Sequence, residues 1–536
     1  MAQSELYHRL KKSVILCGDG LIQGGRRFLP LAAIDEAIAA ASAADQQSWR
    51  HLFKPLSSLA SSWHDLIGDH HDGQSGEPRR RVIGLLGLCN KEAAILDLLR
   101  EGLTDKHFPF KKKEAEGHHD TLVSSQNKVF KSFSKWKDNE VDQFYDLQWQ
   151  ILAPEFTTRG EHISLADGNI PLPVHNIHHI STTGTSIVCS AQLHKAHLKP
   201  TAKHDRQVAI KFFYQDGGFE EEMHNLVKIQ ALNHPHLIRH IATVQQGAQC
   251  YAIFDWADGG DLSMFWERYP NAVPARPPEL VLWCFKQMLG LVEALFALYE
   301  LNYRHGDLKP GNILNFKDPG ESDPTNKGFG RLVITDFGIS KSHPQATELR
   351  HDGTNTIAST PDYEAPEAEL DRNKPEHIRK PRSRKYDMWS VGCIFLEFII
   401  WMLYGHKTIH DFRKIRCVFN TKGPYYIPIG RHVEAHPAVS RGLDALRKDP
   451  RCAKDTGLAD LVNLIDNCLI VIEPGKRATA EEVKGKLEEI VEKAQTGLMM
   501  KRVGSPPRIP DAFRLPATVK DGDVMATNNG AMVLNL

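Results

Sequence analysis

The chain has 536 residues, a length that suits roughly two to four domains. Apolar residues make up 41% and charged residues 25%, as in an ordinary soluble globular protein. Lysine plus arginine and aspartate plus glutamate are equal, at 66 each. Charge therefore gives no argument for nucleic acid or an anionic membrane as a partner, and we expect neither.

Thiol spacing and the N-terminus indicate where the protein works. The nine cysteines show no C-x-x-C pair, which argues against a zinc site of that type and favours reduced thiols. The N-terminus lacks the apolar core of a secretory signal. The most apolar stretch, Val391 to Tyr404, contains Glu397 and is too short to span a bilayer, so it predicts a buried helix. We expect an intracellular protein, cytoplasmic or nuclear.

Residues 1–155 are predicted to form a helical N-terminal region of unknown role. Apolar residues recur at helical spacing in Leu31 to Ala44, Arg81 to Leu103 and Trp136 to Leu152. The polar stretch Lys111 to His119 lacks this spacing and predicts a loop.

Residues 170–258 favour a small sheet that carries one helix. β-Branched and aromatic residues fill Val208 to Phe213 and Tyr251 to Phe254, as is typical of strands. Between them, Phe219 to Leu232 has the spacing of a helix.

Residues 259–495 are predicted to be mainly helical. Long apolar-periodic segments run over Pro278 to Tyr299, Tyr386 to Leu403 and Ala478 to Ala494. Residues 497–536 contain prolines, glycines and asparagines without periodicity, and we predict a disordered tail. The fold class is therefore α+β.

Three motifs follow one another in the helical part of the chain. They are Tyr303-Arg-His-Gly-Asp-Leu-Lys-Pro-Gly-Asn-Ile-Leu314, Ile334-Thr-Asp-Phe-Gly338 and Tyr363-Glu-Ala-Pro-Glu367. A lone Asp-Phe-Gly is a weak signal, but the three in this order resemble the signature of eukaryotic protein kinases. The resemblance covers residues 170 to 495. It implies a bilobal fold that binds ATP and Mg²⁺, with a small β-rich N-lobe and a larger helical C-lobe after an all-α N-terminal region.

The resemblance also implies a role for each residue of the motifs. Asp307 would accept or orient the proton of the substrate hydroxyl, and Lys309 would contact the transferring phosphate. Asn312 and Asp336 would hold magnesium, because hard cations take oxygen ligands. The hydroxyl of Thr360 would meet the catalytic aspartate and lysine.

The lysine at position 309 is typical of serine/threonine kinases, so the implied partner is a protein substrate with serine or threonine hydroxyls. The segments Ile151-Leu-Ala-Pro-Glu-Phe156 and His234-Pro-His-Leu237 are similar to filamentous-fungal kinases with a helical N-terminal extension. That extension is a candidate site for a further partner.

Lys211 ends a strand that is predicted to be buried, where an unpaired ammonium would be costly. In kinases this lysine grips the α- and β-phosphates and pairs with a glutamate on the next helix. Candidates are Glu220, Glu221 and Glu222, and the spacing favours Glu222. Alternatively, all three acids are a solvated helix start, which suits the helix dipole.

The phosphate-covering loop departs from the family. The best match, Ser181 to Val188, lacks glycine at the expected places, although Gly184 falls beside one of them. Val188 and Ala209 would sandwich the adenine, with Leu314 below. Alternatively, Val188 is an ordinary strand residue.

The stretch Tyr251 to Leu262 resembles the strand and hinge that join the lobes. Phe254 would be the gatekeeper behind the adenine, and backbone groups of Asp255 and Ala257 would bond its edge. Asp261 would reach the ribose, or it would cap the next helix instead.

Gly306 stands where many kinases carry an arginine that receives a phosphate on the activation loop. We therefore expect activity that does not depend on phosphorylation by this route, although Thr354, Thr356 and Ser359 offer hydroxyls in that loop. The alternative is a pseudokinase scaffold that binds nucleotide or partners without catalysis. A third possibility makes the N-terminal helices the main functional module.

Two further matches concern buried charges. Asp387 resembles the aspartate that braces the catalytic loop in kinases. Arg477 resembles the arginine that pairs with the acid of the Ala-Pro-Glu motif, here Glu367. A buried charge without a partner would be costly, so this arginine and this acid are expected together.

Overall fold

The computed structural model contains two compact units. Unit 1 contains Met1–His179, Thr185–Gly217 and His240–Asp255, and unit 2 contains Ile180–Gly184, Gly218–Arg239 and Trp256–Leu536. Structure is described for residues 4–18, 24–44, 78–113, 121–183, 186–214, 219–269, 278–317, 328–337, 341–342, 361–372, 383–417, 423–430, 432–504 and 507–515.

The N-terminal part of unit 1 packs helices around an apolar core. The helix predicted over Leu31 to Ala44 is confirmed. The helix predicted over Arg81 to Leu103 is interrupted after Leu88, because Asn90 takes a φ of 53°, which lies outside the right-handed helical region. The helices are α1 Glu5–Ser13, α2 Leu31–Ala44, α3 Arg80–Leu88, α4 Ile95–Arg100 and α5 Asp138–Leu147.

This region is not all helical, which corrects the prediction. β1 (Ile15–Leu16) pairs with β2 (Arg27–Phe28), and β3 (Lys111–Lys113) pairs with β4 (Thr121–Val123), both antiparallel. The loop prediction is thus wrong over Lys111–Lys113. Such short pairs offer two or three residues each, too few for an alternating pattern to stand out in the sequence.

Unit 1 also contains a six-stranded sheet in the order β5-β9-β10-β8-β7-β6. The strand β5 runs parallel to β9 at one edge and lies before the predicted start of the sheet domain at residue 170. None of its five residues is fully buried, which explains why it carries no apolar signal. The strands are β5 Glu161–Leu165, β6 Val174–Thr182, β7 Ser186–Leu193, β8 Arg206–Phe213, β9 His240–Gln246 and β10 Gln249–Asp255.

The N-terminal region and the sheet share one unit because side chains from both interlock. Phe28 is fully buried, and its ring lies 5.6 Å from that of His197 in an edge contact. The thiol of Cys17 donates to the carbonyl of Leu172 at 3.4 Å. The two parts nevertheless keep separate apolar cores. Apart from Ile170, one core lies before residue 153, and the other begins at Phe156.

Unit 2 is mainly helical, as predicted. Two of its described helices, α8 (Pro278–Glu300) and α10 (Lys385–Tyr404), are long and apolar enough to cross a membrane by length and composition. Yet 67% and 100% of their apolar windows, respectively, are buried inside the protein. The buried helix predicted over Val391 to Tyr404 is thereby confirmed. The helices are α6 Phe219–Ala231, α7 Leu262–Arg268, α8 Pro278–Glu300, α9 Pro366–Arg372, α10 Lys385–Tyr404, α11 His406–Cys417, α12 Pro437–Lys448, α13 Gly457–Leu464 and α14 Ala480–Lys493.

Three short antiparallel pairs complete the described part of unit 2. In one pair, β12 (Ile313–Phe316) follows Asn312 and β13 (Arg331–Ile334) leads into the second motif. In another, β15 (Tyr426–Ile429) and β16 (His432–Ala435) form a hairpin after α11. The strands are β11 Tyr303–Arg304, β12 Ile313–Phe316, β13 Arg331–Ile334, β14 Lys341–Ser342, β15 Tyr426–Ile429 and β16 His432–Ala435.

The prediction of a disordered tail is wrong for its first part. Residues 507–515 include a 3₁₀ turn, Asp511–Phe513, and Phe513 is fully buried against unit 2. A single aromatic side chain anchors this segment, so no periodicity marks it in the sequence. Residues 516–536 lie outside the described part of the chain.

Candidate active site

The first motif forms a loop that gathers three of its polar side chains. The Nζ of Lys309 lies 2.8 Å from Oδ2 of Asp307. The Nδ2 of Asn312 donates to the Asp307 main-chain carbonyl at 2.8 Å and approaches Oδ2 of Asp307 at 3.3 Å. A carboxylate, an ammonium and an amide therefore meet at one point of unit 2.

A buried acid from α10 holds this loop from behind. Oδ2 of Asp387 accepts from the His305 N–H and Oδ1 from the Gly306 N–H, both at 2.8 Å. The Tyr299 hydroxyl donates to the same carboxylate at 3.1 Å. The bracing role predicted for Asp387 is confirmed, and charge-assisted bonds of this kind fix the backbone just before Asp307.

Asp336 lies directly after the strand β13 in an unusual conformation. Its φ is 62°, a left-handed value that costs a residue with a side chain about 1–3 kcal/mol and is typical of functional sites. The preceding residue, Thr335, donates its N–H to the Asn312 carbonyl at 3.0 Å. Thr335 also offers its carbonyl to Nε2 of His305 at 2.8 Å. The second motif is thus tied to the first by backbone bonds.

The polar atoms around Asn312 fit a magnesium ion. Because Nδ2 of Asn312 donates to Asp307, its Oδ1 is left as an acceptor. That atom is buried and has no hydrogen-bond partner in the described part of the chain. Asp336 supplies a carboxylate after the adjoining strand, and oxygen ligands suit Mg²⁺. Among the described residues, no three His, Cys, Asp or Glu side chains group as for a metal held by protein alone. A magnesium ion shared with substrate phosphates does not need such a group.

Unit 1 carries the residues predicted around the adenine and its phosphates. In the ladders of β8, Lys211 pairs with Val188 on one side, and Ala209 pairs with Phe254 on the other. Lys211 is only 5% exposed, and its ammonium lies 5.3 Å from the ring centre of Phe213. Val188, Ala209 and Phe254 are at most 1% exposed. Their placement on adjoining strands agrees with one binding surface.

The side chain of Asp255 is engaged in an ion pair that the sequence analysis missed. Nε and Nη2 of Arg206 lie 2.6 and 2.8 Å from the two carboxylate oxygens of Asp255. Both side chains are about 40% exposed, at 39% and 41%, so the pair contributes little to stability. The ion pair involves only the side chain of Asp255, so the prediction that its backbone groups bond the adenine edge is unaffected.

Unit 2 carries the acid predicted to pair with the lysine of the strand. Of the candidates on α6, Glu222 is 6% exposed, whereas Glu220 is exposed. Three residues later, Nδ2 of Asn225 donates to the carbonyl of Phe337 at 3.4 Å. Burial therefore favours Glu222 over Glu220, and the side chain of Glu221 lies outside the described part of the chain.

The hinge residues in unit 2 form a compact turn. The carbonyl of Ala257 accepts from the Gly260 N–H at 3.0 Å, and Leu314 is fully buried beside Asp261 in an isolated bridge. Oδ1 of Asp261 accepts from the Met264 N–H at 2.9 Å and so caps α7. Burial raises the pKa of Asp261. The structure shows the capping role, and the ribose contact stays a prediction.

Several predicted residues cannot be placed. Thr360, Thr354, Thr356 and Ser359 lie outside the described residues, as do Gly184 and Gly338.

The sequence analysis missed a buried network on α10 and α11. Nε and Nη2 of Arg413 lie 2.9 and 2.7 Å from the carboxylate of Glu397, and the Tyr363 hydroxyl donates to the same acid at 2.8 Å. Glu397 is fully buried, and burial alone would raise its pKa. The charges of Arg413 and Arg416 and the hydrogen bonds from Arg413 and Tyr363 together outweigh this effect and hold the pKa low. The sequence did hold a clue to this network, because an acid such as Glu397 inside an apolar helix needs a partner to offset the cost of its burial.

The predicted pair of Arg477 and Glu367 is confirmed. Nη1 and Nη2 of Arg477 donate to the two carboxylate oxygens at 2.9 and 3.1 Å. Nη1 also donates to the Lys385 carbonyl at 2.7 Å. This fork fixes the third motif to the start of α10.

Comparison with known proteins agrees with these arrangements. The protein kinase domain family matches residues 195–486, more than half of the chain. Serine/threonine-protein kinase ATG1b of Arabidopsis thaliana is 29% identical over 34% of this chain and 21% of its own length. Saccharomyces cerevisiae cAMP-dependent protein kinase type 3 is 30% identical over 36% and 39%, respectively. CBL-interacting protein kinase 30 of Oryza sativa is 28% identical over 47% and 48%. The chain thus spans less than half of the length of each of these relatives.

Proposed function

This chain belongs to the protein kinase family, in its serine/threonine type, and from that premise we propose that it transfers the γ-phosphate of ATP to serine or threonine hydroxyls of proteins. The observation that carries the proposal is the meeting of Asp307, Lys309 and Asn312 at one point, with Oδ1 of Asn312 left as a buried acceptor. Short spacing alone would bring these side chains together, but it does not explain a buried amide oxygen without a partner in the described part of the chain, since such burial is costly unless a ligand binds the oxygen.

Each side chain has a task in this proposal. Asp307 orients the substrate hydroxyl and takes its proton, and Lys309 exchanges its contact with Asp307 for the transferring phosphate. Asn312 and Asp336 would hold magnesium, which neutralises phosphate charge when bound. Lys211, with Glu222 as its partner, would grip the α- and β-phosphates, and Thr360 would support Asp307 and Lys309.

The experiment compares the full chain with its Asp336→Ala variant under magnesium and radiolabelled ATP, on a library of serine-, threonine- and tyrosine-containing peptides. Asp444→Ala, an exposed acid on α12, is the matched control. We expect label on serine or threonine with wild type and control, and a loss of at least about 100-fold for Asp336→Ala. Equal background with wild type and Asp336→Ala would instead support the scaffold alternative. Label on tyrosine alone would overturn the hydroxyl specificity.

We further propose that activity does not require phosphate on the activation loop. Gly306 offers no cationic side chain to receive one. The residues after that loop are held instead by the hydrogen bond from the Tyr363 hydroxyl to Glu397 and by the ion pair of Glu367 with Arg477. Replacing Thr354 and Thr356 together by alanine should leave turnover within about twofold of wild type. Gly306 has no charged side chain that a phosphate on either threonine could bind, so no such contact is lost. A large loss of turnover would contradict this.

The intracellular site is a proposal that rests on the thiols. None of the nine cysteines, all of which lie in the described part of the chain, forms a disulfide, and burial raises the pKa of Cys17 and Cys452 to about 12. Buried unreactive thiols suit a reducing compartment. A fluorescent fusion imaged in living cells tests this proposal. Signal confined to the secretory pathway would overturn it.

A further inference from the structure

The C-terminal segment of the described chain is held by one aromatic side chain. Phe513 is fully buried, and its ring lies 5.5 Å from that of Tyr404 and 5.6 Å from that of Phe412. Gly442 on α12 faces the same ring. A Cβ at that position would come within 3.0 Å of its Cε1 atom. A glycine inside a helix is unfavourable, so Gly442 indicates that α12 makes room for this ring.

The ring under Phe513 also supports a buried arginine. Phe412 lies between Phe513 and Arg416, whose guanidinium is 4.7 Å from the Phe412 ring centre and 3.9 Å from that of Tyr425. Arg416 is 1% exposed, and its Nη1 has no hydrogen-bond partner in the described part of the chain. Its Nε donates to the Gly423 carbonyl at 3.0 Å, and the two neighbouring rings supply cation–π contacts to the same guanidinium.

The helix α11, which contains Phe412 and Arg416, also contacts the segment that follows the activation loop. Arg416 lies 3.6 Å from Glu397, and Arg413 grips the same acid through two bonds. Glu397 and Arg413 both bond the Tyr363 hydroxyl, at 2.8 and 2.9 Å. Tyr363 follows Thr360 by only three residues. Contacts thus run without a gap from Phe513 through α11 to the residues beside Thr360.

We propose that Phe513 is a positioning residue for phosphoryl transfer, and that the C-terminal segment 507–515 sets the place of the Tyr363 segment through α11. The inference rests on the proposed kinase activity. Close-packed rings and buried charges do not deform continuously. A change at Phe513 can therefore shift the Tyr363 segment at the other end of this set of contacts. Removing the Phe513 side chain removes the aromatic contact that Phe412 of α11 makes with it. Arg413 and Arg416 on the same helix then hold Glu397 and Tyr363 less firmly.

The test uses the full chain with Phe513→Ala and, independently, Gly442→Leu, which pushes the ring out of its place. Phe285→Ala is the matched control. Phe285 is an equally buried ring that also faces a helix glycine, Gly457, with 3.1 Å between its Cε2 and a Cβ built there. We expect kcat/KM for a peptide substrate to fall about 2- to 30-fold in both test variants. The KM for ATP should stay within about twofold, and Phe513→Leu should recover most of the loss.

A second readout does not depend on activity. In an Asp336→Ala background, amide hydrogen exchange of residues 361–372 should speed up with Phe513→Ala and not with Phe285→Ala. Faster exchange with an inactive wild type would support the coupling of segment 507–515 to the Tyr363 segment and refute the proposed function. Unchanged exchange and an unchanged peptide kcat/KM with Phe513→Ala would overturn the inference. An equal loss with Phe285→Ala would overturn it too, because it would show general destabilisation. Should Phe513→Ala not fold, Gly442→Ala takes its place in both measurements, because its Cβ would press on the same ring.

Discussion

Oδ1 of Asp387 accepts a hydrogen bond from the Gly306 N–H at 2.8 Å, at a point where Gly306 takes a φ of 87°. The two residues lie far apart in the chain, and Asp387 is fully buried. The bond fixes a left-handed turn that glycine adopts without strain, one residue before the proposed catalytic aspartate. The catalytic loop therefore takes its shape from the helix α10.

Replacing Asp387 by asparagine should lower kcat about 10- to 100-fold, since an amide group cannot accept both main-chain N–H bonds and the loop shifts. The KM for ATP should change less than kcat. Steady-state kinetics with Asp444→Asn, an exposed acid, gives the control. Unchanged kcat in Asp387→Asn would show that the loop holds its shape without this acid.

Replacing Gly290 by alanine should destabilise the protein by about 1–3 kcal/mol, against the usual preference for alanine in helices. A Cβ at Gly290 would lie 2.1 Å from Nε2 of His236, a ring that cannot move freely because its Nδ1 bonds the Leu332 carbonyl at 2.7 Å. The control is Gly485→Ala in α14, where a Cβ would meet nothing within 4 Å. Thermal unfolding should therefore shift down for the first variant and up for the second. Equal shifts would refute the steric reason.

Arg477→Lys should be nearly as harmful as Arg477→Ala, which should cost about 3–5 kcal/mol. Lysine keeps the charge, but it cannot supply the two parallel bonds to Glu367 that the guanidinium makes. Denaturant unfolding of both variants measures this, and Lys476→Ala, an exposed neighbour, is the control. Full stability of Arg477→Lys would mean that charge alone holds the third motif.

Acid should destabilise unit 2 between about pH 6.5 and pH 4 in part through His236. Burial lowers the pKa of His236 to about 4, despite its bond to the Leu332 carbonyl. The unfolded chain, with a histidine pKa near 6.5, then binds more protons than the folded chain, so stability falls as pH falls through this window. The Tm difference between pH 7 and pH 5 should shrink in His236→Gln. It should not change in His432→Gln, where the ring is exposed. An equal acid shift in His236→Gln and wild type would exclude this residue as a source.

Phe28→Ala should cost about 3–5 kcal/mol and lower the Tm of the chain, although position 28 lies outside the kinase match. The ring is fully buried, and it contacts both His197 and His194, at 5.6 and 5.9 Å. Leu16→Ala on the paired strand, with a side chain 46% exposed, is the control and should stay close to wild type. An unchanged Tm for Phe28→Ala would show that the N-terminal region is dispensable for the folding of the sheet.

Local spacing made much of the fold predictable. Long helices such as Pro278–Glu300 and Lys385–Tyr404 show many repeats of one apolar pattern, and their bounds were predicted within one residue. Short elements such as Lys111–Lys113 and the unburied strand Glu161–Leu165 have too few residues or too little burial to leave a pattern. The prediction of disorder was wrong over residues 507–515 for a related reason, because a single buried ring, that of Phe513, leaves no periodic pattern in the sequence.

The sequence by itself determined which residues would meet around Asp307, because Lys309 and Asn312 are two and five positions away and a short loop brings them together wherever it folds. The resemblance of its motifs to those of kinases predicted the pairing of Arg477 with Glu367, in agreement with the expected cost of a buried lone charge. Only the tertiary structure decided that Arg413 holds Glu397 and Tyr363, that Phe513 fills the space left by Gly442, and that Phe28 joins the N-terminal region to the sheet. These partners are distant in the chain, and apolar packing accepts many residue pairs of similar size. Spacing therefore cannot specify which of them will touch.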